Sequence, residues 1–213
     1  MTFKAWCRIL VATGLGLMLL TGVSQAKTVQ LIGFGDSLMA GYELPADAAF
    51  PAQLEKALKL KGYDVAITNA GVSGDTSADG LARLDWSIPD GTDGVILELG
   101  ANDALRGLSP DETLKNLDGI LTALAKRNIP VLMAGILAPP NMGEDYARQF
   151  NAIFTTLAEK HNVVLYPFFL DGVVMDESLK LKDGMHPNEK GVAVMVSRFL
   201  PVAEAFLANL AAP

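Results

Sequence analysis

Thiols and imidazoles are scarce in this chain: 213 residues hold one cysteine, Cys7, and two histidines, His161 and His186. That scarcity excludes a disulfide framework, a cysteine-ligated zinc site and a histidine-rich metal site. Aromatic residues make up only 7%, with tryptophan at Trp6 and Trp86 alone, too few for a saccharide groove walled by exposed rings. Bases are the minority charge, 17 against 24 acids, for a formal charge of −7. Phosphate backbones are repelled by such a surface, so nucleic acid is excluded as a partner.

The first 26 residues contain no acid at all. Lys4 and Arg8 precede an apolar run, Ile9 to Val23, and Ser24-Gln25-Ala26 places small residues where a signal peptidase reads. This is the three-part layout of a secretory signal peptide. The apolar run of 15 residues falls short of the ~20 that a membrane-spanning helix needs. Residues 1–26 are therefore read as a signal peptide, and 27–213 as a single domain. Cleavage before Lys27 leaves 187 residues, 15 bases against 24 acids, a charge of −9, and no thiol. A cysteine nucleophile is thereby excluded. Export is expected, to the periplasm or beyond it, with no stable membrane anchor left after cleavage, and an oxidising compartment suits a chain without thiols.

Past Lys27, apolar runs alternate with stretches of helical periodicity. Strands are expected at Thr28–Phe34, Val65–Asn69, Gly94–Leu99, Ile129–Ile136 and Val163–Tyr166, each short and bounded by turn residues. Helices are expected at Phe50–Leu60, Ser77–Leu84, from Ser109 to about Arg127, Tyr146–Lys160 and Pro187–Leu210. Gly62 closes the first of these as a C-cap, and Ser109-Pro110-Asp111-Glu112 opens the third with a cap, a proline and two acids. Strands that are apolar on both faces and alternate with helices make a parallel sheet covered on both sides. The expected fold class is α/β: one three-layer α/β/α sandwich around a five-stranded, mainly parallel sheet.

In such sheets, ligands bind where the strands end. Four polar segments fall there: Gly35-Asp36-Ser37-Leu38, Asn69 to Asp75, Gly100-Ala101-Asn102-Asp103, and Asp183 to Asn188. Each has an ordinary structural explanation as a cap, a tight turn or a surface pair. Together they supply a hydroxyl nucleophile, a base, a carboxylate to orient it, and two oxyanion donors. A serine hydroxyl needs a base to take its proton, and an imidazole held by a carboxylate is such a base. Two other residues compete for these roles. Gly71-Val72-Ser73-Gly74 lacks the last glycine of a nucleophile elbow, since Asp75 stands there, so Ser73 is read as a turn residue. His161 follows Glu159-Lys160 at a helix C-terminus and is read as a solvated cation.

The four segments resemble the four sequence blocks of the SGNH (GDSL) hydrolases, and look most like the exported thioesterase, lysophospholipase and arylesterase subgroup. The likeness includes Ser73-Gly74-Asp75-Thr76 and Glu98-Leu99-Gly100-Ala101-Asn102-Asp103, in order and spacing over nearly the whole mature chain. It implies a flavodoxin-like fold, with Ser37 as nucleophile and Asp183 and His186 completing a triad. The oxyanion hole would comprise the Ser37 amide, Gly74 and Asn102. It further implies a monomer that hydrolyses a small acyl ester or thioester, with no cofactor and no metal. Phe34 stands where the subgroup often has leucine, and Ala101 where a glycine often precedes the asparagine. For the acyl chain, Leu105 and Leu108 beside Asn102, and Ile136 and Pro139 in the loop after the fourth strand, are the candidate contacts.

Two other readings compete: a carbohydrate acetylesterase on the same scaffold, disfavoured by the shortage of aromatics, and an exported binding protein, disfavoured by the intact residue set. N-terminal sequencing of the exported protein tests the domain division. The sequence should begin at Lys27, and a blocked or Met1 terminus on exported material would refute it.

Overall fold

A computed structural model describes residues 27–210; the proposed signal peptide lies outside the described residues. The chain runs β1 (Val29–Gly35), α1 (Ser37–Ala40), α2 (Phe50–Leu60), β2 (Val65–Gly71), α3 (Ser77–Ser87), β3 (Gly94–Glu98) and α4 (Ala101–Leu105). It continues with α5 (Pro110–Lys126), β4 (Val131–Ala134), α6 (Glu144–His161), β5 (Val164–Tyr166) and α7 (Glu189–Leu210). The five strands lie in the order β2-β1-β3-β4-β5, and all four pairings are parallel. α2 and α7 pack together, and α3, α5 and α6 pack in sequence, giving the expected three layers.

The central strands β1, β3 and β4 are buried from Leu31, Gly94 and Val131 onward, whereas β2 and β5 at the edges are only partly covered. Hydrophobic burial of this kind stabilises by about 25 cal/mol per Å² of apolar surface. α7 is long and apolar, but Val192, Met195, Phe199 and Phe206 enter the core. The Phe199 ring meets Phe50, Tyr166 and Phe169 edge-on.

Several boundaries differ from the sequence reading. The fourth strand is trimmed to Val131–Ala134 because Pro130 has no N–H to donate at its start. Two short helices, α1 and α4, are too brief to show periodicity. Pro110 begins α5 as expected, yet the Ser109 side chain makes no capping bond. At the end of α2, Gly62 takes a positive φ of 92° just past the cap, as a helix-ending glycine does.

The order of strands changes direction between β1 and β3, the position at which α/β sheets open a crevice. There Gly35 lies in register with Gly71 on one side and Glu98 on the other. Three segments therefore leave the sheet side by side. Close approach makes this possible, because a Cβ on Gly71 would collide with the backbone of Met39 and Ala40 in α1. Gly71→Ala should destabilise the fold by about 1–3 kcal/mol through overpacking. A urea melt reads this, and an unchanged midpoint would show that α1 does not rest on β2.

Candidate active site

Ser37 is the first residue of α1, directly past the end of β1. Asp36 caps that helix, its Oδ1 accepting the Leu38 N–H at 3.0 Å. The capping explanation considered for Gly35-Asp36-Ser37 is thus correct for Asp36, and it holds Ser37 at the mouth of the crevice. Ser37 is half-buried, and its Oγ lies 2.9 Å from His186 Nε2, although 149 residues separate them.

His186 comes from the loop before α7. Asp183 Oδ1 accepts the N–H groups of Met185 and His186 at 2.9 and 3.1 Å, so that the turn closes on its own carboxylate. The second oxygen, Oδ2, lies 2.6 Å from His186 Nδ1. An ionised carboxylate can only accept, which places the imidazole proton on Nδ1 and leaves Nε2 free to accept from Ser37 Oγ–H. Desolvation pushes the Asp183 carboxyl up, but the bonds from the His186 ring and the two amides outweigh it and hold the group at about 2. Asn188 anchors the loop: its Nδ2 donates to the Ser178 and Lys180 carbonyls, and its Oδ1 accepts the Lys190 and Gly191 amides at the start of α7. The Tyr42 ring covers the imidazole, with centroids 4.5 Å apart.

Gly74 sits in the turn after β2, closed by the Asp75 N–H donating to the Val72 carbonyl. Its φ of 91° needs a glycine. Arg106 fixes this turn by donating to the Gly74 carbonyl at 2.8 Å. Among the described residues, the backbone N–H groups of Ser37 and Gly74 have no protein acceptor. Asn102, in α4, donates from Nδ2 to the Asp75 carbonyl at 2.9 Å and to Asp36 Oδ2 at 3.2 Å. The three segments are thus cross-linked at the crevice.

Two buried acids tie these segments down. Asp103 accepts the Ser77 amide at 2.8 Å, the Ser77 hydroxyl at 2.5 Å and the Thr113 hydroxyl at 3.0 Å, joining α3, α4 and α5. Asp75 pairs with the Arg83 Nε, and the same guanidinium donates to the Ala70 and Gly35 carbonyls at the ends of β2 and β1. Removing Arg83 would strand a buried carboxylate at a cost of about 3–5 kcal/mol.

A second pair of acids lies behind Ser37. Asp36 and Glu98 are both fully buried. Burial raises Asp36 to about 6, against the lowering effects of the Leu38 amide, His186 and Asn102. Burial, and then the neighbouring Asp36 charge, raise Glu98 well above the usual carboxylate range.

The proposed acyl contacts fare unevenly. Leu105 is 46% exposed, and Leu108 and Pro139 are half-buried. Tyr146 donates to the Leu108 carbonyl at 2.9 Å, tying that loop to α6. Ile136 is a correction: it is buried among core side chains at 4% exposure, so Leu137, at 44%, is the residue that faces outward there. His161 is also unlike its reading. Its side chain is 12% exposed and lies against Asp118 rather than in solvent, Nε2 to Oδ1 at 2.6 Å. It borders a groove of about 470 Å³ with Pro130, Val131, Val163 and Phe206, at the opposite end of the sheet from Ser37. Ser73 is an exposed turn residue. Among the described residues, no cluster of three or more His, Cys, Asp or Glu is arranged to hold a metal.

Tyr42, Arg106 and Glu98 escaped the sequence reading. For Glu98 a signal was present, a lone acid inside the apolar run Gly94–Leu99. Tyr42 and Arg106 act through tertiary contacts that no local pattern announces.

Residues 34–194 match the GDSL-like lipase/acylhydrolase family. The chain is 41% identical over 170 residues to an arylesterase of Vibrio mimicus, covering 79% of this chain and 84% of that protein. It is also 41% identical over 173 residues to thioesterase 1/protease 1/lysophospholipase L1 of Escherichia coli K12, covering 81% of each. Among solved structures, AlinE4, an SGNH-hydrolase family esterase, shares 47% identity with a TM-score of 0.73, covering 85% of this chain and 98% of that one.

A fluorophosphonate reagent should modify Ser37 alone, since it is the serine with an imidazole nitrogen against its Oγ. Peptide mass mapping reads the adduct, and modification at Ser73 would overturn the assignment.

Proposed function

The chain belongs to the GDSL-like lipase/acylhydrolase family, and from that premise we propose that it hydrolyses acyl esters and thioesters through a Ser37–His186–Asp183 triad. The observation that carries this reading is the unbroken relay from Ser37 Oγ to His186 Nε2 and from His186 Nδ1 to Asp183. His186 takes the hydroxyl proton as Oγ attacks the acyl carbonyl, then returns it to the departing alkoxide or thiolate. Asp183 holds the tautomer and balances the imidazolium, and its lowered pKa, about 2, keeps it ionised throughout. Water, activated by the same imidazole, then releases the acyl group from Ser37.

The tetrahedral oxygen is received by the two unclaimed N–H groups of Ser37 and Gly74. Asn102 joins them by sharing the hydrogen that it gives to Asp36 over the longer, 3.2 Å bond. Donors placed in advance act on charge as it develops, which lowers the barrier rather than the ground state.

Aryl esters, acyl thioesters and lysophospholipids are the substrates proposed, by analogy with the arylesterase and the thioesterase 1/lysophospholipase L1. Exposed Leu105 and Leu137 suit an acyl chain. A polysaccharide acetate is a poorer fit, because Trp86, the exposed tryptophan, sits at the end of α3. That helix starts beside Gly74 and runs about 16 Å away from it. The apolar N-terminal segment with its Ser24-Gln25-Ala26 end supports export, and the periplasm is the proposed location.

Asn102→Ala should lower kcat by about 10²–10³-fold with little change in KM. A variant with normal kcat and a lowered melting point would reduce Asn102 to a loop anchor. The substrate class is tested with p-nitrophenyl esters of increasing chain length beside an acyl-CoA and a polysaccharide acetate. Turnover of the polysaccharide acetate alone would refute it.

A further inference from the structure

Glu98 ends β3 with no surface exposed, and its Oε1 has no hydrogen-bond partner among the described residues. Its other oxygen, Oε2, accepts the Asp36 N–H at 3.3 Å. The side chain can lie there because position 35 is glycine: a Cβ would come within 2.5 Å of both Oε2 and the Glu98 carbonyl. An acid is therefore accommodated deliberately against the peptide that precedes the nucleophile, and the triad makes no use of it.

Two carboxylates side by side in an apolar interior cannot both ionise cheaply. The hydrogen bonds decide which one keeps a proton. Asp36 receives the Leu38 amide on Oδ1 at 3.0 Å and the Asn102 amide on Oδ2 at 3.2 Å. Donors favour the charged form. Glu98 accepts one long amide bond on Oε2, is also influenced by the Met39 amide, and leaves Oε1 bare, so donors support its charge less than they support that of Asp36. The charged groups around the pair do not all act in one direction. His186 favours charge on Asp36, Asp103 opposes it, and the Arg83 cation is already committed to Asp75.

We propose that Glu98 is a positioning residue that carries the proton of this buried acid pair, leaving a single negative charge on Asp36. That charge caps α1 beneath Ser37, holds the Asn102 amide, and faces the imidazolium that His186 becomes. Were Glu98 ionised as well, its repulsion would drive a proton onto Asp36 and release both anchors. The inference rests on the serine-hydrolase reading for its kinetic consequence, but not for the location of the proton.

The sign of the stability linkage follows. Both acids hold protons more tightly in the folded chain than in the unfolded one, so they cost stability as pH rises. For Asp36 the loss runs from 3.8 to about 6. Asp183 acts oppositely, lending stability above 3.8 that is lost as pH falls toward 2. Glu98→Gln should therefore melt higher than the natural protein above neutrality, with the gap closing in acid.

Infrared difference spectroscopy on the whole protein locates the proton directly. At neutral pH a protonated-carboxyl C=O band should be present, lost in Glu98→Gln and retained in Asp36→Asn. A band that survives in Glu98→Gln, or no such band in the natural protein, overturns the proposal. Kinetics then test the positioning. Glutamine reproduces a neutral acid and should retain most of kcat. Glu98→Leu should lose about 10–100-fold, as misplaced reacting groups do. Equal rates for the two variants would show that Glu98 positions nothing. An inactive natural protein that nonetheless shows the Glu98 band would defeat the hydrolase reading while leaving the proton where it is placed here.

Discussion

The register of Gly35 between Gly71 and Glu98 is the constraint from which the rest of the site follows. Parallel strands that end level deliver their next residues to one place. Here those residues are Ser37, the Gly74 turn and the Asn102 helix. Two of the three aligned positions are glycines, each giving up a side chain so that something can approach: α1 comes to rest on Gly71, and the Glu98 carboxyl lies against Gly35. A larger residue at either would move the nucleophile before it touched any chemistry.

Buried charge then fixes what register brings together. Asp36 is joined to the Asn102 side-chain amide, Asp75 to the Arg83 guanidinium, and Asp103 to the Ser77 amide and hydroxyl, each from another segment. A buried carboxylate that accepts several bonds is rigid, because losing any one of them leaves a costly unpaired charge. The price is a strip of acids at the sheet's edge that a purely apolar core would not carry. That compromise is usual where precision matters more than stability. The last element, the Asp183–His186 turn, is held from outside by Asn188 and by the Tyr42 ring, and it brings the base over Ser37.

Much of the layout was legible in the sequence. Short apolar runs between helical periodicities gave the order of the five strands along the chain, and polar residues after them marked the crevice. The periodicity of Phe50–Leu60 and the glycine behind it located α2 to the residue. What was hidden is tertiary. α1 and α4 span four and five residues, too few for a pattern to repeat. Ile136 and Leu137 are both apolar, and nothing in composition says which one faces the core. His161 follows a lysine at a helix end, as a solvated cation would, but Asp118 from α5 lies against it. Arg106 stands between Leu105 and Leu108, and its guanidinium reaches Gly74 from 32 residues away. Glu98 was visible as an acid in an apolar strand, but its partner Asp36 is 62 residues earlier.

The central claim is that three segments converge to receive one oxygen beside Ser37. A crystal structure of the protein inactivated with a monoalkyl phosphonate tests it most directly. The phosphonyl oxygen should lie within hydrogen-bond distance of the Ser37 and Gly74 N–H groups and of Asn102 Nδ2, with His186 still paired to Asp183. An adduct whose oxygen points to solvent, or a phosphorus bonded to any other side chain, would contradict the account.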